Sequence, residues 1–376
     1  MPPVYYHLGK FPPKNIDWSA LVQLVGKANA ALARYDGLLS AVPDKALLLS
    51  PLLANEAVLS SKIEGTHVSL SEVLEVEAGG EPENFSQNKR NDAEEVINYR
   101  RALSMCAQEI REKKLSQHML RQAHAILMRG VRGKDKSPGG YRKGPNWIGS
   151  QGCSIDEAGF VSIPIEHLVS GMETWDEYLN NECVQDPIAQ LAVIHIEFEA
   201  LHPFEDGNGR LGRMLIPLFL YQRGLLGGPN FYMSEYFDKN RDAYIEKLRD
   251  VSARETWTEW IAFFLEGVIA QAIANERKAR NILNLYEKIR VAAADITKSP
   301  HCVRAVDHLF HFPVFRSTTL SAATGIPDPT ARRILAVLRQ AKILHVLRES
   351  SGRAPAVYVF PELVNAIEGR DIFVAQ

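Results

Sequence analysis

The chain has 376 residues, a formal net charge of −2 and a hydrophobic fraction of 46%. This length suits two or three modest domains with hydrophobic cores, and the composition excludes a disordered or fibrous protein. The near-neutral charge argues against a protein that coats nucleic acid over its whole surface, although a local basic patch stays open.

The first residues and the cysteines set the expected compartment. No apolar run approaches the roughly 20 residues that a membrane helix needs. The first residues, MPPVYYHLGKFPP, have neither the basic region nor the apolar core of a signal peptide. The cysteines, which form no CxxC pair, are Cys106, Cys153, Cys183 and Cys302. We therefore expect reduced thiols in a soluble, cytoplasmic, globular protein.

The first ~90 residues are predicted to be helical from the spacing of their apolar residues. DWSALVQLVGKANAALARYDGLL begins with an Asp suited to an N-cap. In SPLLANEAVLSSKIEGT, Ser50-Pro51 predicts a helix start and Gly65 a helix end. The polar segment GGEPENFSQNKRND predicts a loop and a domain boundary. Helical patterns resume in DAEEVINYRRALSMCAQEI and SQHMLRQAHAILMRGV.

The next segment, GKDKSPGGYRKGPNWIGSQGCSIDEAGFVSIPIEHL, is rich in Gly and Pro. Two short pieces in it, NWIGS and GFVSIP, have the composition of strands and predict a small irregular hairpin. A plain surface loop is the alternative, although loops of this length in compact domains are often functional.

Two helices are predicted on either side of one polar motif. DPIAQLAVIHIEFEALH has Asp186 as cap and Pro187 at the first helical position. After the motif, GRMLIPLFLYQRG is apolar almost all round, which is typical of a buried central helix. Helical patterns continue to about residue 292, and ITKSP marks a second boundary.

The last ~75 residues differ in pattern and predict a winged helix. LSAATGIPDPTARRILAVLRQAKILHVL indicates helix, turn, helix and strand, and APAVYVF supplies a further strand. From His301 to Gln376 there are nine Lys and Arg against six Asp and Glu, a mild excess of +3.

The motif between the two central helices is HPFEDGNGRLGR, residues 202–213. Gly207-Asn208-Gly209 can turn successive N–H groups inward and form an anion nest. This nest opens onto a helix N-terminus, which adds free N–H groups and a positive dipole end. Arg210 and Arg213 can make charge-assisted contacts with further phosphate oxygens.

Two more residues of the motif suit chemistry on a nucleotide polyphosphate. Asp206 can hold Mg²⁺, which usually binds one or two carboxylates together with substrate phosphates. His202 ends the preceding helix and can act as a general base. A zinc site of His195, Glu199 and His202 is the rival interpretation, but it would leave the glycine nest without a role. The chain has neither a P-loop nor a Rossmann fingerprint.

The motif matches HxFx(D/E)GNGRxxR of the Fic family at every defined position, and the sequence therefore resembles a Fic protein. The resemblance extends from roughly residue 30 to 290 and includes RKGPNWIG, HIEFEALHPF and WTEWIAFFL. It implies a mainly α fold, with a Fic-type helical core and a small β-hairpin flap. The expected domains are a Fic N-terminal helical region (1–90), a catalytic domain (91–292) and the winged-helix-like domain (296–376).

The resemblance also implies an enzyme, a protein adenylyltransferase. AMP passes from Mg·ATP to a Ser, Thr or Tyr hydroxyl of a target protein or of the chain itself, and pyrophosphate is released. By family analogy His202 deprotonates the hydroxyl and Asp206 binds Mg²⁺. The other expected ATP-binding residues of the motif are Gly207, Asn208, Gly209, Arg210, Leu211, Gly212 and Arg213.

By the same analogy the hairpin is the flap, which aligns the target segment by strand-like pairing. Ile148 and Gly149 are expected near the nucleotide. The second arm keeps only Pro164 of the family's usual double proline, which leaves the register open. Tyr244 falls where relatives place an aromatic near the adenine, and a Tyr packed between helices is the alternative.

SSKIEG, residues 60–65, fits the family's inhibitory pattern of a Ser or Thr, three residues, a Glu, and a Gly or Asn. Ser60, Glu64 and Gly65 occupy the defined positions. Glu64 is expected to pair with Arg213 and so to compete with the γ-phosphate of ATP.

Two alternatives stay open beside protein adenylylation. A Fic-fold enzyme can use another nucleotide or remove AMP. The chain can also be a DNA-binding regulator in which Arg332 and Arg333 contact phosphate and Thr330 approaches a base. A winged helix that packs, dimerises or docks partner proteins is favoured over DNA binding, and a homodimer is a further expectation from the family.

Overall fold

The computed structural model describes residues 2–42, 45–80, 85–130, 135–150, 152–182, 185–352 and 354–373. Cys183 and residues 81–84 of the predicted loop lie outside these ranges. The described chain is mainly helical. Its helices are α1 (Trp18–Ser40), α2 (Lys45–Ile63), α3 (Leu70–Glu77), α4 (Gln87–Glu109), α5 (Gln117–Leu127), α6 (Ile165–Leu179), α7 (Pro187–Leu201), α8 (Asn208–Gln222), α9 (Ser234–Lys239), α10 (Arg241–Arg254), α11 (Trp257–Thr297), α12 (Cys302–His311), α13 (Thr319–Thr324), α14 (Asp328–Gln340) and α15 (Pro361–Glu368).

Two small sheets accompany the helices. The first has the order β1-β3-β2 and consists of β1 (Val4–Tyr5), β2 (Trp147–Ile148) and β3 (Phe160–Val161). β2 and β3 are antiparallel, as the predicted hairpin requires, whereas β1 runs parallel to β3. The second sheet has the order β4-β6-β5 and is antiparallel, with β4 (Val314–Arg316), β5 (His345–Arg348) and β6 (Val357–Val359).

The helix signals in the sequence are confirmed where a side chain caps the helix. The Asp17 carboxylate accepts from the N–H groups of Ser19 and Ala20 at the start of α1. Asp186 accepts from two N–H groups at the start of α7, each at 2.9 Å, and Pro187 follows it. Gly65 has a φ of 88°, the left-handed conformation that ends a helix.

Three local predictions were wrong. Helix α2 begins at Lys45, so that Pro51 lies inside it and does not start it; the buried residues that follow, among them Leu52 and Ala57, offset one missing hydrogen bond. Helix α4 begins at Gln87, within the predicted loop, because the Ser86 hydroxyl caps it by accepting from the Lys89 N–H. The N-terminal region also contains a strand, β1, which is too short to give a periodic pattern.

The helices α7 and α8 are the buried centre of the structure around the motif. Every residue from Ile188 to Leu201 is buried, and so is every residue from Asn208 to Leu220. This confirms the central helix predicted from the apolar sequence. No helix in the described residues is both long and apolar enough to cross a membrane.

The contacts of the chain form two compact units. The first comprises Met1–Gly37, Leu59–Gly65 and Asn98–Ile273, and it contains α5 to α10 and the first sheet. Its largest fully buried side chains include Trp175, Trp260, Phe198 and Phe219.

The second unit comprises Leu38–Val58, Thr66–Ile97 and Ala274–Gln376. The predicted helix–turn–helix and strands appear in it as α13, α14, β5 and β6. On α14, Arg332 and Arg333 are exposed, and Arg333 donates to the Thr297 carbonyl over 2.9 Å. The winged-helix assignment stays a prediction.

Candidate active site

The turn between α7 and α8 takes its shape from two left-handed residues. His202 has a φ of 47° and ends α7, with its N–H bonded to the Phe198 carbonyl. Gly207 has a φ of 80° and precedes the first residue of α8. A glycine takes this conformation without steric cost, whereas His202 is held in it by its surroundings.

The His202 imidazole can accept a proton at Nε2. Its Nδ1 lies 3.3 Å from the Glu199 carbonyl oxygen, which can only accept, so Nδ1 carries the hydrogen and Nε2 has the lone pair. Nε2 has no hydrogen-bond partner within the described residues. Burial lowers the pKa of His202, and this outweighs the opposing effect of the carbonyl contact and of nearby carboxylates. The ring is therefore neutral at neutral pH, as a general base must be.

The loop from Phe204 to Gly207 is held from two sides. The side-chain amide of Asn208 accepts from the Phe204 N–H and donates to the Phe204 carbonyl, over 2.9 and 2.8 Å. His124 on α5 donates from Nε2 to the Asp206 carbonyl over 3.1 Å and stacks on the Phe204 ring at 4.0 Å. Its Nδ1 accepts from the Gly139 N–H, and burial lowers its pKa to about 4. Neutral His124 thus fixes the loop in one shape.

The start of α8 presents backbone donors. The first bond of the helix runs from the Leu211 N–H to the Gly207 carbonyl over 3.1 Å. The N–H groups of Asn208 and Gly209 come before it and have no acceptor within the helix, so they can bind an anion. Both the oxygen and the nitrogen of the buried Asn208 side chain are bonded to Phe204, so the backbone N–H is the donor of this residue that is open to a phosphate.

Asp206 is the residue of this turn that can bind a cation. Its Oδ1 accepts from the Gly207 N–H at 2.6 Å and from Arg210 at 3.1 Å, and the side chain is 36% exposed. The described residues contain no group of three His, Cys, Asp or Glu side chains that could hold a metal ion. A single accessible carboxylate fits Mg²⁺ that arrives with phosphates and keeps several water ligands.

Arg213 lies one turn further along α8 and is almost fully buried. It donates from Nε to the Ser60 hydroxyl at 2.9 Å and from Nη2 to the Ser60 carbonyl at 2.8 Å. Nη2 also donates to Glu64 Oε1 at 2.7 Å. The predicted pair of Glu64 and Arg213 is therefore present in the structure. Ser60, in the last turn of α2, is a second contact of Arg213, and Glu64 directly follows the end of that helix.

Electrostatics favour the charged forms of both partners. Burial is the largest single effect and by itself lowers the pKa of Arg213 and raises that of Glu64, but their mutual attraction and the other nearby charges together outweigh it in each case. The Glu64 side chain is 39% exposed, so solvent screens part of this attraction. A Cβ at Gly209 would lie 2.2 Å from Glu64 Oε1. The Glu64 carboxylate can therefore lie against the start of α8 because residue 209 is a glycine.

Glu199 is a second carboxyl beside Arg213, and it is buried. Its Oε1 has no hydrogen-bond partner in the described part of the chain, and a Cβ at Gly212 would lie 2.2 Å from it. Burial raises the pKa of Glu199 to about 7; the guanidinium of Arg213 opposes this, and the charge of Glu64 adds to it. Glu199 is therefore largely protonated below neutral pH.

Several predicted site residues face the core. The Tyr244 hydroxyl lies 2.9 Å from His195 Nε2, and its ring stacks on Phe237, so the packing alternative describes its surroundings. His195 is fully buried, with Nδ1 on the Gly212 carbonyl at 3.0 Å. The Leu211 side chain is also fully buried.

The flap joins the site through its base. Ile148 on β2 is 45% exposed at the edge of its sheet. Gly149 lies close to Cys153, whose Sγ would be 2.6 Å from a Cβ at this position. Asn146 donates to the Phe204 carbonyl over 3.3 Å, and this bond ties the flap to the loop of the motif.

Two residues that shape the site, His124 and Arg142, were not predicted from the sequence. Arg142 is buried and donates from Nε to the His202 carbonyl over 3.0 Å. His124 lies on a buried helical face and belongs to no quoted motif, whereas Arg142 begins the stretch RKGPNWIG that contributes to the resemblance but had no role assigned to it. A buried His or Arg inside an otherwise apolar or irregular stretch is the weak signal that could have indicated them.

Family models match both parts of this region. The model of the Fic/DOC family N-terminal region matches residues 22–108, and the model of the Fic/DOC family matches residues 114–220. The chain belongs to the Fic/DOC family. Fic membership accounts for the order of turn, glycines and arginines at the start of α8 without specifying a substrate.

Named relatives cover only part of this Fic chain. A probable protein adenylyltransferase of Aquifex aeolicus is 31% identical over 202 residues, which are 54% of this chain and 56% of that protein. The chain thus spans about half the length of this relative. A protein adenylyltransferase of Caenorhabditis elegans is 33% identical over 67 residues, 17% of this chain and 13% of that protein.

Solved Fic structures share the fold. A Fic family protein from Desulfovibrio desulfuricans aligns with a TM-score of 0.57 at 21% identity, over 93% of this chain and 98% of that chain. A Fic-1 structure from Caenorhabditis elegans aligns with a TM-score of 0.55 at 18% identity, over 72% and 75% of the two chains. At these identities the likeness concerns the fold alone.

Proposed function

We propose that the chain is a protein adenylyltransferase that transfers AMP from ATP to a hydroxyl of a protein. The proposal rests mainly on the position of His202. Within the described residues its Nε2 has no hydrogen-bond partner, and it lies on the turn before a helix whose first N–H groups have no acceptor within the helix. A base next to a phosphate-binding turn is what attack of a hydroxyl on a nucleotide requires. The names of the relatives from Aquifex and Caenorhabditis support the same activity.

In the proposed reaction the target hydroxyl oxygen bonds to the α-phosphorus of ATP. The bond from this phosphorus to the oxygen that bridges to the β-phosphate breaks, and pyrophosphate leaves. The hydroxyl proton passes to His202 Nε2, while Nδ1 keeps its hydrogen on the Glu199 carbonyl. The N–H groups of Asn208 and Gly209 hold phosphate oxygens, and Arg210 adds a positive charge.

Asp206 is the proposed ligand for Mg²⁺, and a bound Mg²⁺ would neutralise charge on the phosphates. Arg210, which contacts Asp206 at 3.1 Å, keeps this carboxylate directed toward the turn. The fit rests on the partial exposure of the Asp206 side chain and on the preference of Mg²⁺ for few protein ligands.

The proposed enzyme is restrained by its own helix α2. Arg213 is the residue expected to hold the γ-phosphate, and Glu64 and Ser60 occupy it. ATP that binds without this contact leaves its α-phosphate badly placed for in-line attack, and an error of about 1 Å can cost on the order of 10²-fold in rate.

Labelled nucleotides test the proposal directly. We would incubate wild type, Glu64→Gly and Glu64→Gly/His202→Ala with Mg²⁺ and ATP labelled at the α- or the γ-phosphate, and measure label in protein. We expect α-label and no γ-label in protein, more with Glu64→Gly than with wild type, and almost none when His202 is absent. Transfer of γ-label, or equal rates for wild type and Glu64→Gly, would contradict the activity or the restraint respectively. Parallel reactions with UTP and GTP test the alternative nucleotides.

A further inference from the structure

Arg142 lies outside the Fic motif, yet it contacts the motif and both ends of the flap. Its side chain donates to three carbonyl oxygens: His202 at 3.0 Å, Gly144 at 2.7 Å and Ile163 at 2.5 Å. Its own N–H donates to the Pro203 carbonyl at 2.9 Å. Gly144 precedes β2 and Ile163 follows β3, so these are the two ends of the flap.

The burial of the Arg142 guanidinium costs desolvation free energy, which indicates that the residue has a functional role. Only 3% of Arg142 is exposed, and in the described residues it has no carboxylate partner. A guanidinium buried on carbonyls alone is desolvated without a counter-charge, and burial lowers its pKa. Surface placement of the residue would avoid this cost.

Arginine is suited to this junction by its geometry. The planar guanidinium carries donors in a fixed fork, so it can hold three acceptors at fixed angles. Lysine has the same charge, but its ammonium is a compact donor on a flexible stem and cannot span the three carbonyls in the same way. The substitution Arg142→Lys therefore keeps the positive charge and removes the planar set of donors.

We propose that Arg142 is a positioning residue that fixes the flap relative to His202, and so sets how well a hydroxyl carried by the flap edge meets Nε2. The proposal rests on the proposed function. Arg142 contacts neither His202 Nε2 nor the N–H groups at the start of α8, so its effect is expected on the rate of transfer and not on the binding of ATP.

The test compares Arg142→Lys with Arg121→Lys, both in the Glu64→Gly chain. Arg121 is a matched control, because it also donates to a carbonyl, that of Gly139 at 2.8 Å, but it is exposed and contacts neither His202 nor the flap strands. Self-modification at several ATP concentrations gives kcat and KM, and titration with ATP gives the Kd. Hydrogen–deuterium exchange reports on residues 146–162 and 202–205.

For Arg142→Lys we expect kcat to fall on the order of 10- to 100-fold, as for a misplacement of about 1 Å. KM and Kd for ATP should stay within about two-fold, amide exchange should accelerate in both segments, and Arg121→Lys should match its parent. An unchanged kcat in a folded Arg142→Lys chain would overturn the proposal. So would an equal loss of ATP affinity, which would indicate general damage to the site.

Two further outcomes are also decisive. If Arg142→Lys does not fold, Arg142→Gln, which leaves no buried charge without a partner, is measured in the same way and judged by the same criteria. If the Glu64→Gly parent transfers no nucleotide, the proposed function fails, and exchange alone decides on Arg142. Faster exchange in both segments then supports the coupling, and unchanged exchange refutes it.

Discussion

At the scale of single residues, the proposed base His202 lies apart from the groups proposed to bind ATP. It lies on the turn, whereas the backbone donors and Arg210 lie at the start of α8. In the Glu64→Gly chain, His202→Ala should lower AMP transfer by on the order of 10²- to 10⁴-fold, since a general base typically contributes this much. The Kd for ATP, measured by calorimetry, should change by less than about three-fold. Near-parental transfer by His202→Ala would remove His202 from the mechanism.

Glu199 gives a prediction about pH and stability. The native carboxyl keeps its proton up to a pKa of about 7, whereas the unfolded chain loses it near 4.5. Between these values the unfolded chain binds fewer protons, so the free energy of unfolding falls as pH rises, by on the order of 3 kcal/mol in total. Glu199→Gln, which keeps the shape without the charge, should therefore stabilise the chain more at pH 8 than at pH 5.

Thermal unfolding of wild type and Glu199→Gln at the two pH values measures this difference. Glu205→Gln is the control, because Glu205 is exposed and its removal should have the same small effect at both pH values. If Glu199→Gln increased the stability equally at pH 5 and pH 8, the buried carboxyl would not be the titrating group.

Residues of the site differ in how far the sequence could indicate them. His202, Asp206 and Arg213 stand in one continuous motif whose spacing carries the chemistry. His124 and Arg142 contact the same turn from distant segments, and such contacts depend on the fold. Asn208 was predicted at the turn from the motif, but the hydrogen bonds of its side-chain amide to the Phe204 backbone are seen only in the structure.

At the scale of elements, long helices were predictable and short strands were only partly so. Capping by Asp17 and Asp186 and the left-handed Gly65 are local signals, and the structure confirms them. The flap strands have two residues each and were indicated by composition alone. β1 was missed, because it pairs with β3 more than 150 residues later and no local pattern specifies such a partner.

The segment after β1 is held by a buried carboxylate on α7. Glu197 accepts from the Tyr6 hydroxyl at 2.6 Å and lies 2.8 Å from His7 Nε2. His7→Ala leaves half of this buried group without a partner and should cost about 1–3 kcal/mol in unfolding free energy. Urea denaturation measures this cost. Leu8→Ala is the control, since Leu8 is half exposed, and a loss no larger than its own would contradict the prediction.

At the scale of the whole molecule, the compact units do not follow the order of the chain. The unit with the Fic motif draws on three separate stretches, one of which is the short segment Leu59–Gly65. A fragment that begins at residue 91 therefore lacks β1 and both partners of Arg213. The consecutive domains expected from the sequence stay a prediction, because composition shifts along a chain indicate linkers and not which separate stretches pack into one unit.

Both ends of the contact between Glu64 and Arg213 are on the same polypeptide, and mass action gives this a consequence. Because Glu64 is held beside Arg213 by the fold of the same chain, the fraction of Arg213 that it occupies does not depend on the concentration of the protein. Dilution of wild-type protein should therefore leave the transfer rate per molecule unchanged, provided that the modified hydroxyl is on the same chain. Under the proposed function, ATP competes for Arg213 with a carboxylate that does not diffuse away, so an event that moves the end of α2 would relieve the restraint, whereas dilution would not.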